Sequence, residues 1–349
     1  MSAPIASNPF ARIAALIAGR RAPRASHRAQ RVSTIGALGK RVSLKKIALI
    51  FPLLASLALL VGPLRAIGDS VAPPAKKHAR KGPKPAPTPS ALPVGVKVPV
   101  YSPGPLPFHD GERLIYHATW LGIPAADARV EFHKSKKDPE VWVAEVWIET
   151  NRFADLFYRM RDYMKERFDI GSLQTRDNYF RQDEKNRVNE YDAIFDRARG
   201  LVTMTKRSHK GVERHDFISA NPWGPMSGAA MALSQHLEPE RKLAFDVFTS
   251  NNRYVIDFAV GERVRIRVPA GDYDAIRLTP ELVYLSNEKI RGEAHETTLW
   301  VSADARHLPL RIEAAAYIGT VRADLVQVDG QPAGDHPIGP IGNQPVTSR

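Results

Sequence analysis

Not one of the 349 residues is a cysteine. That excludes disulfides, thiolate zinc sites, cysteine nucleophiles and the acylated cysteine of a lipoprotein. Acidic residues are scarce in one region only: residues 1–105 hold 17 Lys and Arg against a single acid, Asp69. The other 33 basic and 36 acidic residues leave 106–349 at net −3, so the formal charge of +13 belongs to the N-terminal third. A nucleic-acid-binding domain carries its own basic stripe, so no nucleic-acid partner is expected. Catalytic signatures are missing too. There is no Walker-type glycine loop, dinucleotide fingerprint, HExxH or G-x-S-x-G. Gly224-Pro225-Met226-Ser227-Gly228 places its serine one position late and reads as a turn into a helix. No cofactor is implied.

What is present first is an address. Lys40-Arg41-Val42-Ser43-Leu44-Lys45-Lys46 precedes the apolar run IALIFPLLASLALLVGPL at 47–64, and small residues Ala66 and Gly68 precede Asp69. A basic, an apolar and a small-residue region in that order make a signal peptide spanning 47–68. Eighteen residues are also just enough for an uncleaved membrane anchor. Either way the expected location is the periplasm, soluble after cleavage or held at the inner membrane through 47–64. Residues 1–46 are a basic tail, or the true start lies downstream, for example at Val42. Residues 69–105 form a linker, with 11 prolines between Pro73 and Pro107 interleaved with lysines. Such a segment favours extended polyproline II. Its 73–105 stretch is a candidate for cell-wall or anionic-lipid contact. Residues 329–349 read as a second disordered tail.

The folded unit is 106–328, and its pattern is period two. Leu114, Tyr116, Ala118 and Trp120 alternate with Arg113, His117 and Thr119, and Trp142, Ala144, Val146 and Ile148 form the next run at this spacing. The same holds for Leu308, Leu310, Ile312 and Ala314, and for Val321, Ala323 and Leu325. Val264, Ile266 and Val268, then Pro269-Ala270-Gly271-Asp272, then Ile276 and Leu278 make the clearest hairpin. Regular strands with one dry face predict a mainly β domain: a curved antiparallel meander, half-barrel or open barrel. Two segments break the period, 153–160 and 225–237. They predict one or two short helices covering the dry face.

Few side chains suggest chemistry. His109-Asp110-Gly111-Glu112 and Glu293 with His295 have metal-ligand chemistry but no third ligand, and no metal site is assigned. Arg263, Arg265 and Arg267 share one face and read as a charged outer row that blocks edge pairing. Tyr116, Trp120, Trp142, Phe258 and Trp300 fall on faces read as dry, and Met231 on the second helix. They are core residues first. They line a ligand site if the sheet is too open for its own side chains to fill.

The order of several motifs resembles an uncharacterised bacterial family of exported domains, a numbered domain of unknown function. They run from Pro107-Phe108-His109-Asp110-Gly111-Glu112 through Trp120-Leu121-Gly122-Ile123, Arg161-Asp162 and Val268-Pro269-Ala270-Gly271-Asp272-Tyr273 to Leu299-Trp300-Val301-Ser302-Ala303-Asp304. The family usually has Ala-Gly where this chain has Ala125-Ala126. The resemblance implies an exported antiparallel β domain, similar in architecture to half-barrel carriers of lipoproteins and lipids, and brings no catalytic residues. The expected function is therefore non-enzymatic: binding a lipid, lipoprotein or other amphiphile, or an envelope partner. The alternatives are a structural scaffold with a filled core and a glycan hydrolase using paired carboxylates.

Overall fold

Period-two alternation builds nearly the whole domain. The computed structural model describes residue 92 and residues 96–286, 289–293, 297–316 and 319–329, with backbone only for 282–286 and 289–293. The apolar run 47–64, the tail 1–46, most of the linker, His295 and residues 330–349 lie outside these.

The chain first forms β1 (Glu112–Trp120), β2 (Ile123–Lys134) and β3 (Val141–Thr150). A single helical turn, α1 (Arg152–Asp155), follows. Then come β4 (Arg161–Asp169), β5 (Thr175–Glu184), β6 (Arg187–Asp196), β7 (Leu201–Ser208) and β8 (Gly211–Ile218). The short β9 (Pro222–Trp223) leads into α2 (Pro225–Leu233). After it run β10 (Lys242–Thr249), β11 (Asn252–Val268), β12 (Gly271–Ser286) and β13 (Lys289–Glu293). β14 (Thr297–Ser302), β15 (Pro309–Ala315) and β16 (Thr320–Asp329) complete the described chain.

All sixteen strands join one sheet, ordered β8-β7-β6-β5-β4-β3-β2-β1-β16-β15-β14-β12-β11-β10-β9, with β13 beside β12. Pairing is antiparallel except where β9 meets β10. Ala118 pairs with Ala323, which pairs with Ile312, so the predicted dry faces form one continuous surface. The predicted hairpin joins β11 and β12 through Pro269-Ala270, with Val268 opposite Gly271. Gly271 has φ +146°, which a side chain rarely adopts.

A sheet this wide curls because each strand is rotated against the next. The curl brings distant flanks together through side chains while β8 and β9 remain edges. Ala193, Phe195, Val202 and Met204 of β6 and β7 pack with Phe248 of β10. Edge β8 is exposed and carries Glu213, Arg214, His215 and Asp216, charges that oppose pairing with another chain.

Inside the curl lies α2. Eight of its nine residues are buried, so it is an interior element and needs no polar face. The first predicted helix is different. It shrinks to one turn, capped by the Asn151 side chain accepting from Ala154 N at 2.9 Å. Only Ala154 of that turn is buried, whereas Leu156 and Phe157 are 79% and 40% exposed. Of the one or two helices expected, α2 is the one that covers the dry face among the described residues.

Ordered packing also starts before residue 106. The Tyr101 ring stacks on Phe245 at 4.9 Å, and its hydroxyl accepts from Ala244 N at 2.8 Å. Gly104 N donates to Ser234 Oγ at the end of α2.

Candidate ligand cavity

Helix α2 presents Met226, Ala229, Ala230 and Leu233 along one face, at the i, i+3, i+4, i+7 spacing of neighbours on a helix. Opposite them stand Leu114 of β1, Val130 and Phe132 of β2, Phe258 of β11, Leu278 of β12, Leu299 of β14 and Ile312 of β15. Between the two surfaces is a cavity of about 70 Å³. Thr297 is the one side chain with a hydroxyl in a lining otherwise of apolar residues. The alanines explain the gap, since a methyl group cannot fill the distance from a helix to a curved sheet. The volume is several times the ~10–15 Å³ one water occupies, and about half the ~150 Å³ apolar space that takes benzene.

Of the side chains expected to line a site, Phe258 does. Trp142 is one ring away: it is 3% exposed and meets the lining residue Phe108 edge-on at 5.0 Å. Tyr116 points inward, but its hydroxyl is spent on Pro309 O at 2.9 Å. Met231 is wholly buried off the lining face, with its sulfur near Ser234 and Gln235. Trp120 is partly buried at the far end of β1. Trp300 is on the other side of the sheet. Its register partners are Arg277 and Arg311, whereas the adjacent Leu299 pairs with Leu278 and Ile312 in the lining. Alternation along β14 carries this parity, and its register with β12 runs without a shift. His109-Asp110-Gly111-Glu112 is structural: Glu112 is wholly buried and ion-paired with Arg306, and Asp110 accepts from Lys134 N. Arg263, Arg265 and Arg267 are exposed, as expected.

Interior carboxylates are what the sequence pattern did not reveal. Glu166 of β4 is completely buried and accepts from the backbone N–H groups of Met226 and Ser227 at 3.0 and 2.9 Å. It therefore holds the N-terminus of α2, where unpaired donors and the helix dipole favour an anion. Thr175 extends the clasp, donating to Glu166 and lying 2.5 Å from the Ser227 hydroxyl. A side chain at Gly224 would collide with the Glu166 carboxylate. Burial pushes the Glu166 pKa up to about 7 despite these hydrogen bonds. Asp246 and Arg253 form a second buried pair, bidentate at 2.7 and 2.8 Å, with Ser219 donating to Asp246.

Asp162 and Glu184 form a third group. Asp162 Oδ1 accepts from Asp183 N at 2.9 Å, while Tyr158 and Gln182 donate to Glu184. Burial, then the charge of Glu184, pushes the Asp162 pKa up to about 8. Asp162 is 4% exposed, so no sugar ring fits against the pair. Among the described residues no cluster of three or more His, Asp or Glu could hold a metal.

The arrangement defines a class: an open antiparallel barrel with an interior helix and an apolar hollow beneath it. Within that class, residues 115–326 match the family "protein of unknown function (DUF3108)", and the chain belongs to that family. No curated protein matches the sequence. Among solved structures, the chain is similar to a beta-barrel-like protein of domain of unknown function DUF1849 from Brucella abortus, at 11% identity and TM-score 0.45. That alignment covers 63% of this chain and 97% of the other. It is also similar to a protein described as exported, with a YmcC-like fold, from Bacteroides fragilis, at 8% identity and TM-score 0.26. A protein from Parabacteroides distasonis described as a lipoprotein has the same identity and score, and each alignment covers 66% of this chain and 99% of the relative. At such scores these likenesses carry no argument about this chain.

Proposed function

We propose that the domain is a non-enzymatic component of the cell envelope that receives the apolar part of an amphiphile beneath α2. The observation that carries this reading is the apolar cavity under the alanine face of that helix. The apolar run at 47–64 supports an envelope location, and the net −3 of 106–349 supports a partner other than nucleic acid.

Magnitudes set how binding works. A dissociation constant of about 100 µM corresponds to about −5.5 kcal/mol. At roughly 0.8 kcal/mol per buried methylene, that requires about seven methylenes. A space half that of a benzene site does not hold them, so α2 must shift as the ligand enters. The Glu166 clasp at its N-terminus is then the point that resists the shift.

The small volume also favours a second reading, the filled scaffold, and one experiment separates the two. Full-length protein is titrated with a fluorescent fatty acid beside the variant Ala230→Leu, with circular dichroism confirming that the variant folds. Saturable binding below about 100 µM that weakens at least tenfold in the variant supports the carrier. Absent binding, or equal binding by both proteins, leaves the scaffold.

A further inference from the structure

One end of the sheet leaves large apolar side chains partly in solvent. Leu156 and Phe157, after α1, are 79% and 40% exposed, and Leu121 in the β1–β2 turn is 50% exposed. The α1 segment already has its anchors: Ala154 and Tyr158 are buried, and Phe153 braces Phe157 edge-on at 5.5 Å. Leu121 is held in the left-handed region at φ +54°, a conformation costly to a leucine. The two tips lie on neighbouring connections. Asn151 N donates to Ala125 O at 2.9 Å, and Asn151 Nδ2 to Pro124 O at 2.7 Å, fastening the β3–β4 connection to the start of β2.

Charge around these tips is sorted. Arg152, Lys185 and Arg187 are exposed, and Lys185 belongs here because its N–H donates to Arg159 O at 2.9 Å. The neighbouring carboxylates are turned inward: Asp155 to Arg161 at 2.7 Å, Asp183 to Arg159 at 2.8 Å, and Glu184 to Tyr158 and Gln182. Glu149 and its cross-strand neighbour Asp127, with side chains each 64% exposed, are acids at this end that stay in solvent, Glu149 4.0 Å from Arg161 and Asp127 paired with His117.

Protruding leucine and phenylalanine tips collared by cations match the interface of an anionic bilayer, where apolar side chains enter the acyl boundary and Lys and Arg meet the headgroups. Tips of this kind offer no groove for a peptide. The chain also supplies the surface: the apolar run 47–64 and the basic Pro-rich segment lie directly upstream of the domain. We infer that the domain docks on anionic lipid through Leu121, Leu156 and Phe157, with Arg152, Lys185 and Arg187 as the headgroup contacts. This inference is independent of the cavity, and its failure would leave the amphiphile reading untouched.

The absence of cysteine makes the test clean. Full-length Leu156→Cys is labelled with an environment-sensitive fluorophore and mixed with phosphatidylglycerol–phosphatidylcholine vesicles containing acyl-brominated lipid. A second protein carries the label at Lys136→Cys, in the β2–β3 turn at the opposite end of the sheet. The expected result is a blue shift and bromine quenching at position 156, with neither at 136. Charge reversal by Arg152→Glu with Lys185→Glu, or vesicles of phosphatidylcholine alone, should abolish the quenching. A solvent-like label at 156, equal quenching at both positions, or quenching indifferent to charge would each overturn the inference.

Discussion

A carboxylate at an inward-facing strand position is the strongest single-residue signal in this chain. In β4 the buried positions are Asp162, Met164, Glu166 and Phe168, two acids in register with two hydrophobes. Asp162 keeps its proton to about pH 8 in the folded chain, against an ordinary value of 3.8. Between those values the native state holds more protons than the unfolded one, so this group's contribution to stability falls as pH rises. Asp162→Asn removes the effect, keeps an oxygen for Asp183 N, and gives Glu184 an N–H. The variant should be at least ~1 kcal/mol more stable than the parent at pH 8, since each tenfold change in proton affinity is worth about 1.4 kcal/mol. The advantage should vanish near pH 4. Urea denaturation at both pH values measures it; a variant less stable at pH 8 would show that the carboxyl is needed as an ion.

Helix α2 is the element on which both cavity and core depend. Burial beneath α2 raises Glu166 to about 7 although the helix N–H groups pull it down, whereas a solvated carboxyl titrates near 4.5. Docking therefore takes up a proton and weakens as pH rises from about 4.5 to about 7. After correction for intrinsic exchange, the amides of Met226 and Ser227 should lose hydrogen-exchange protection across that window. The Glu166→Gln variant, which cannot ionise, should show flat protection; a parent with flat protection would remove Glu166 from the control of α2. The shortened α1 teaches the opposite lesson. Phe153, Leu156, Phe157 and Met160 fit a helical face in sequence, yet Met160 belongs to a bridge with Glu184 and the chain leaves the helix after one turn. Spacing alone does not say which face has something to pack against.

At the scale of the whole molecule, the domain boundary is a packing question. Tyr101 fills a place on Phe245, and Ser102 O accepts from Gln235 near the end of α2. A chain starting at residue 106 loses both contacts. Compared with one starting at residue 96, it should be less stable by about 1–3 kcal/mol, the worth of one buried large side chain. Thermal denaturation of the two proteins tests this, and equal melting temperatures would return the boundary to 106.

The sequence by itself determined the fold class, the strand faces of β1, β3, β15 and β16, and the β11–β12 hairpin. Alternation with period two is a local property, and Pro269 and Gly271 write their turn locally as well. The order of short motifs likewise pointed to a family of unknown function, which the match over 115–326 bears out. Tertiary structure alone decided the rest. Glu166 meets Ser227 across 61 residues because the sheet curls, and no local pattern encodes that approach. The curl also left Leu121, Leu156 and Phe157 partly in solvent at one end. Parity tells each side chain which face it takes. Only the curvature of the whole sheet determines what that face meets.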